Sequence, residues 1–534
     1  MKKTNPIFTL KNFRSFGEEG ADFELAPITV LTGCNSAGKS SLVKALWLLA
    51  MQPVGSTFED VEGKRNLPSM ELKATAKELM LGGYNRLVHS LNKDGDIELT
   101  YCMWSMYLHE EVVCKRIFKA KKGVMNDGVL KSFTIEKKDG TVVYRGLPDN
   151  DIVPLGNGEE VVCQYISEEE HFETIKGNYD RFKAAYEYAY FAELKRKMDV
   201  HDKPVKSKFY HKVIEKIVQG EAALYKCGMT KDEAEEYDLD AIMFWHQANK
   251  FDEDPYNLRA YKEDLSEDEK EELRQKLFYT SFINEIVSPW FFSRLASIDS
   301  STNKINRVYS IDDRDKLSVL LFDIVNQTSD YKYRSGKFVN EWLKRFDIGD
   351  CIEIEGIDEG YGVRVYVENN GERRLLADEG CGLTQIVSLL LQIDNMKNRY
   401  CKRSMNEDFE DCCVYSKSVI SIEEPEVHLH PKYQSLLADL FVEAYQKYNI
   451  QFIIETHSEY LIRKLQVMVA DEENSLSPND VSLNYVEKDG KGVSTNRKID
   501  IDKDGGLSGS FGAGFYDEAD TLAMDLFRKK PILS

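Results

Sequence analysis

Ile28–Ala50 reads ITVLTGCNSAGKSSLVKALWLLA: a short β-branched run, a glycine-bounded loop and an apolar stretch with helical spacing. The loop, Gly33-Cys34-Asn35-Ser36-Ala37-Gly38-Lys39-Ser40, has the GxxxxGK(S/T) pattern. A strand before it and a helix after it are the context that turns this pattern into a phosphate loop. Glycines let backbone N–H groups wrap an anion, and the N-terminus of the helix starting near Lys39 adds its dipole. The expected nucleotide-binding set is Asn35, Ser36, Ala37, Gly38, Lys39, Ser40 and Ser41. Lys39 would reach the β- and γ-phosphates, and Ser40 would ligate Mg²⁺.

Working outward, Val419–Pro431 reads VISIEEPEVHLHP. A short apolar run leading into Glu423 and Glu424 predicts a buried strand with acid at its C-terminal tip. Adjacent like charges at such a tip are costly unless a cation or a reaction uses them. Gln451–Glu455 (QFIIE) predicts another strand, ending in Thr456-His457-Ser458. Before both, Leu376–Gln385 (LADEGCGLTQ) places Gly380 and Gly382 ahead of the apolar helix IVSLLLQI, a second anion-ready helix N-terminus.

Composition frames these motifs. A chain of 534 residues with 42% hydrophobic content is globular and long enough for one large core or two to three ordinary ones. Ten scattered cysteines without a CxxC pair suggest neither a disulfide nor a zinc framework. No apolar run of membrane-spanning length occurs, and the N-terminus lacks a signal-peptide core, so a cytoplasmic protein with no membrane association is expected. A net charge of −21 argues against a broad electrostatic grip on nucleic acid, although a local basic face could contact DNA or RNA.

Three sections are expected. Residues 1–165 hold β-type runs around the phosphate loop, with a later meander of Asp96–Met103, Glu111–Ala120 and Leu130–Tyr144. Residues 166–295 turn helical, and Ser266-x-x-Glu269 reads as a capping box opening a helix through Leu273 and Leu277. Residues 296–534 return to alternating strand and helix. One α/β nucleotide-binding domain split by a helical insertion fits this order best.

In that order the motifs resemble the ABC-type ATPases of the SMC-like and OLD-like branch. Gly33–Ser40 is similar to their Walker A loop, DEGCG to the signature, VISIEE to the Walker B strand, Glu426–His430 to the D-loop and Thr456-His457-Ser458 to the switch-histidine loop. The opening Leu10–Phe16 (LKNFRSF) and the wording EPEVHLHP look like this branch rather than transporter ATPases. The resemblance implies an ABC-type P-loop ATPase head with a β-meander lobe and an inserted helical module. It also implies ATP and Mg²⁺ as cofactors and head-to-tail docking of two subunits, as a homodimer or higher oligomer. Each nucleotide would lie between one protomer's phosphate loop and the other's Gly380 and Gly382. Glu423 would hold Mg²⁺ through water, Glu424 would polarise the attacking water, and His457 would contact the γ-phosphate.

Two departures stand out: Glu379 occupies the place where family signatures often carry Ser, and Glu423 that of a commoner Asp. A long coiled-coil hairpin is not expected, because Pro204, Pro255 and Pro289 interrupt the insertion and no sustained heptad runs through it. The segment Asp500-x-Asp502-x-Asp504-Gly505 imitates a calcium loop, but Phe511 stands where a bidentate Glu is needed. His428 and His430 are expected as D-loop contacts rather than metal ligands. The basic runs Lys115–Lys122 and Lys195–Lys208 read either as phosphate contacts or as solvated edges. The resemblance extends to ATPases of bacterial anti-phage defence that act with a separate nuclease or toxic effector. The alternative is a DNA-repair or chromosome-maintenance ATPase binding DNA directly.

Overall fold

The computed structural model describes residues 5–50, 71–73, 81, 83–120, 127–145, 153–154, 160–161, 168–200, 208–235, 295–299, 305–313, 315–328, 330–357, 361–401, 418–471, 476–512, 521–522 and 524–525, with scattered positions between 266 and 286. The chain divides into two compact units. One comprises Met1–Thr9, Met51–Val88 and Asn92–Pro289; the other comprises Leu10–Ala50, His89–Leu91 and Trp290–Ser534.

The first unit contains an antiparallel meander of Ile97–Ser105, Glu110–Ala120 and Asp127–Lys137, with Val142–Arg145 and Glu71–Lys73 both paired to the third strand. Residues of IELTYCMWS alternate between buried and half-buried, the pattern of a sheet with one face on a core. The run expected as Leu130–Tyr144 is two strands, because Gly140 (φ 85°) turns the chain between them. The basic run beginning at Lys115 is not a sheet edge: its strand is paired on both sides. Arg116 points inward and is 1% exposed. It donates to Tyr101 Oη at 3.0 Å and lies over the rings of Tyr101 and Phe133. Lys115 is paired with Glu98 at 3.1 Å.

Helices of the same unit span Glu168–Ala185, Phe191–Val200 and Lys208–Lys226, with a π-turn over Tyr186–Tyr190. Gly220 lets the third helix approach that turn, since a methyl group there would sit 2.5 Å from the Glu187 carbonyl oxygen. Glu269, Leu273, Leu277, Lys203 and Lys206 lie outside the described residues.

The second unit is built on a six-stranded sheet. Its order is Leu295–Asp299, Ser418–Glu423, Ile450–Glu455, Ile28–Gly33, Val481–Lys488 and Ser494–Ile499. The first five strands run parallel and the last is antiparallel. ITVLTG and IQFIIE are buried at every position, as strands covered on both faces require. Helices Ser40–Ala50, Lys316–Val325, Lys337–Arg345, Cys381–Cys401, Pro431–Tyr448 and Glu459–Ala470 belong to this unit. Trp342, Leu321, Leu390, Phe441 and Phe452 lie in its core. Ile28–Gly33, the first of these strands in sequence, is inserted between Ile450–Glu455 and Val481–Lys488. Ligands of open α/β sheets bind outside the carboxyl ends of the strands.

A second, antiparallel sheet is centred on Cys351–Ile357 and Gly362–Asn369. Among the described residues, no helix is long and apolar enough to cross a membrane.

Candidate nucleotide site

The phosphate loop leaves its strand at Gly33, whose φ of 132° suits glycine alone. A methyl group there would lie 2.0 Å from the Val486 carbonyl oxygen of the neighbouring strand. Cys34, Asn35 and Ser36 are exposed and Ala37 is buried. Ser36 (φ 59°) and Gly38 (φ 106°) bend the loop back onto the helix. Gly38 is pressed against Ser15, whose Oγ would be 2.2 Å from an added Cβ. Ser494 ties the two together: its N–H donates to Ser15 O at 2.8 Å and its hydroxyl to Ala37 O. The LKNFRSF segment thus supports the loop from behind.

Lys39 is 4% exposed. Its ammonium donates to Gly33 O and Cys34 O, both at 3.2 Å, and to Nε2 of His457 at 3.1 Å. A lysine has no lone pair to offer, so Nε2 accepts and the imidazole is neutral with its proton on Nδ1. Burial first, and then the Lys39 charge, hold His457 below the ordinary histidine range. Burial likewise lowers Lys39, opposed mainly by Glu455.

Three acids gather where the neighbouring strands end. Glu423 closes Ser418–Glu423, in register with Glu455. Glu424 follows in a left-handed conformation (φ 47°), which costs a non-glycine residue roughly 1–3 kcal/mol. Two hydrogen bonds hold it there: its N–H donates to Glu455 O at 2.7 Å, and its carbonyl accepts from Gln385 Nε2 at 3.1 Å. Gln385 lies on the helix Cys381–Cys401, so the glycine-led helix and the acidic strand tip are joined within one chain.

The switch loop is fixed by a residue that sequence reasoning leaves as part of the D-loop. Glu426 is buried, and its Oε1 accepts the His457 N–H at 2.6 Å. Burial raises it above the ordinary carboxylate range, an effect opposed first by the His457 backbone N–H. Ser458 caps the next helix by accepting from Leu461 N–H at 3.2 Å, and donates to Gln434 Oε1 at 2.7 Å. Such a cap contributes about 1 kcal/mol.

Gly380 is exposed at the N-terminus of Cys381–Cys401, with open space around it. Gly382 faces its own chain: a methyl group there would come 2.7 Å from His428 O and 3.1 Å from Leu429 Cδ2. The D-loop backbone therefore occupies the volume of a side chain at Gly382. His430 Nδ1 accepts from Lys432 N–H at 3.2 Å and caps Pro431–Tyr448. Among the described residues, no three-donor cluster of metal-ligating type includes His428 or His430. In the calcium-like segment, Asp502 Oδ1 accepts from Asp504 N–H at 2.9 Å and Gly506 N–H at 2.8 Å, a self-contained turn.

A phosphate loop on a buried parallel strand, beside a strand that ends in Glu455 and next but one to a strand that ends in Glu423, defines a P-loop nucleotide hydrolase. The profile described as AAA ATPase domain matches residues 7–462, and the chain belongs to that family. It is an ATP-binding, ATP-hydrolysing enzyme with an α/β fold. A second profile, described as a protein of unknown function, matches residues 476–526. No curated protein matches the chain.

Similar solved structures include the Smc head domain with an extended coiled coil bound to the C-terminal domain of ScpA from Pyrococcus furiosus. Identity is 12%, over 98% of this chain and 100% of that chain, at a TM-score of 0.33. The SMC head domain from Thermotoga maritima is 12% identical over 93% of this chain and 98% of that chain, at a TM-score of 0.33.

Proposed function

We propose that this chain is an SMC-like ATP-driven switch whose site is completed by a second subunit. The observation that carries the reading is Lys39, held by Gly33, Cys34 and His457 at the point where the acidic strands end. Backbone donors from Asn35 to Ser41 cradle the phosphates and Lys39 contacts the β- and γ-phosphates. His457, already within reach of Lys39, contacts the γ-phosphate.

The residues fit a hard divalent cation. Ser40 and the carboxylates offer oxygen donors, and buried Glu455 Oε2 has no hydrogen-bond partner among the described residues. Ser40 would bind Mg²⁺ directly and Glu423 through water; when bound, the cation neutralises phosphate charge. Glu424 orients and polarises the attacking water. Phosphoryl transfer depends on such positioning and charge stabilisation more than on covalent chemistry. Gly380 and the N-terminus of its helix serve the partner's nucleotide, and Gly382 keeps that helix seated on the D-loop. Closure on ATP and reopening after hydrolysis shift a population between two assemblies.

The shared site is tested by mixing two inactive proteins, Lys39→Ala and a Gly380→Arg variant. Their heterodimer has one intact composite site, so turnover returns; if exchanging mixtures stay inactive, the shared-site reading fails.

We further propose that the output is control of a separate nuclease or toxic effector in anti-phage defence. LKNFRSF and EPEVHLHP resemble the SMC-like and OLD-like branch, which holds both this reading and its competitor. The competing reading, direct DNA binding in repair, is weakened by buried Arg116 and paired Lys115. DNA affinity of the purified chain, measured across a salt series, decides between them: salt-dependent binding without a partner favours repair.

A further inference from the structure

Glu455 ends the strand that lies between the phosphate-loop strand and the acidic strand, in register with Leu31 on one side and Glu423 on the other. Its residue surface is 8% exposed. One oxygen, Oε1, is 3.9 Å from Lys39 Nζ. Ser40 lies beside the same carboxylate and favours its charged form. The other oxygen, Oε2, is buried and has no hydrogen-bond partner among the described residues. A carboxylate is therefore lodged against both the lysine that meets phosphate and the serine that meets the cation. Its position is not that of the Walker B acids, which lie on the next strand.

An anion at this place has two consequences of opposite sign. Alone, it holds Lys39 and Ser40 in position, but it repels a triphosphate approaching Lys39. With a divalent cation beside the phosphates, the same charge becomes attractive, and Oε2 is available to the cation or to a water bound to it.

We propose that Glu455 is a positioning residue that couples nucleotide binding to a divalent cation, excluding cation-free ATP while keeping Lys39 and Ser40 in place. The inference rests on the nucleotide-site reading given above. Glu455→Gln keeps an oxygen for Ser40 and removes the charge. Cation-free nucleotide then binds more tightly, and the advantage conferred by Mg²⁺ shrinks.

The test is equilibrium binding of a fluorescent, non-hydrolysable ATP analogue in magnesium chloride and in EDTA. The wild-type protein, Glu455→Gln and Glu455→Asp are compared, each checked for cooperative thermal unfolding. For Glu455→Gln the ratio of the two affinities falls at least about tenfold, a loss of about 1.4 kcal/mol of coupling. Tighter binding in EDTA supplies most of that change. Glu455→Asp, which keeps the charge, retains more than half of the wild-type coupling energy. An unchanged ratio in Glu455→Gln, or one that changes only through weaker binding in magnesium, overturns the proposal. If the wild-type protein binds the analogue in neither buffer, the nucleotide-site reading itself fails and takes this inference with it.

Discussion

Nζ of Lys39 and Nε2 of His457 are 3.1 Å apart across 418 residues of sequence, so the glycine-rich loop and the Thr456–Ser458 loop share a hydrogen bond. The contact requires neutral imidazole. Replacing Lys39 with Ala removes that ammonium and weakens ATP binding by about a hundredfold or more, a charge-assisted contact to phosphate having been lost. Titration with a fluorescent ATP analogue reads this directly, and near-normal affinity would contradict the assignment.

The same contact gives a pH dependence. His457 is held below the ordinary histidine value of 6.5, first by burial and then by Lys39. Over the window between its folded value and 6.5, the unfolded chain carries the extra proton. Stability therefore rises with pH through that window and is lost as pH falls. His457→Gln, which cannot protonate, flattens this part of the melting-temperature profile between about pH 5 and about pH 7. An unaltered profile would show that the imidazole is not the titrating group.

Glu455 and Glu426 have the opposite sign. Burial raises both above 4.5, so the folded state retains their protons to higher pH than the unfolded chain does. Their ionisation costs stability as pH rises through the folded values. Glu455→Gln is thus expected to melt higher than wild type at about pH 8, with the difference fading towards about pH 4. Thermal melts across that range check it; a variant equally destabilised at every pH would point to lost packing instead.

Glu426 fixes the switch loop through the His457 N–H. Glu426→Ala leaves ATP affinity within about threefold but lowers kcat roughly tenfold, because it displaces a positioned group without removing a ligand. Steady-state kinetics separate the two effects.

Gly382 packs against the D-loop of its own chain, with no room for a methyl group beside His428 O. Gly382→Val is expected to cut turnover at least about tenfold while phosphate-loop binding stays within about threefold, as shifted catalytic geometry does. Loss of ATP binding in this variant would mean that the damage extends to the phosphate loop.

Much of this architecture was legible in the sequence. ITVLTG, VISIE and QFIIE are continuous apolar runs because parallel strands are covered on both faces, and GxxxxGK(S/T) fixes a loop by local steric need. Contacts assembled by tertiary packing were not legible. QFIIE shows Glu455 as a strand end, while its burial against Lys39 and Ser40 follows from strand order. Gln385 belongs to an apolar helix and gives no local sign that its amide secures Glu424. Arg116 sits in a lysine-rich run, yet the strand's alternation turns it inward onto Tyr101.

The central claim is that Glu424, held in a left-handed turn between Glu455 and Gln385, activates water for ATP hydrolysis. Phosphate release by Glu424→Gln, measured alongside its ATP affinity, tests it most directly. The account predicts affinity within about threefold of wild type and a rate lower by roughly 10²–10⁴, the usual contribution of a positioned general base. Hydrolysis at the normal rate with ATP bound would contradict it.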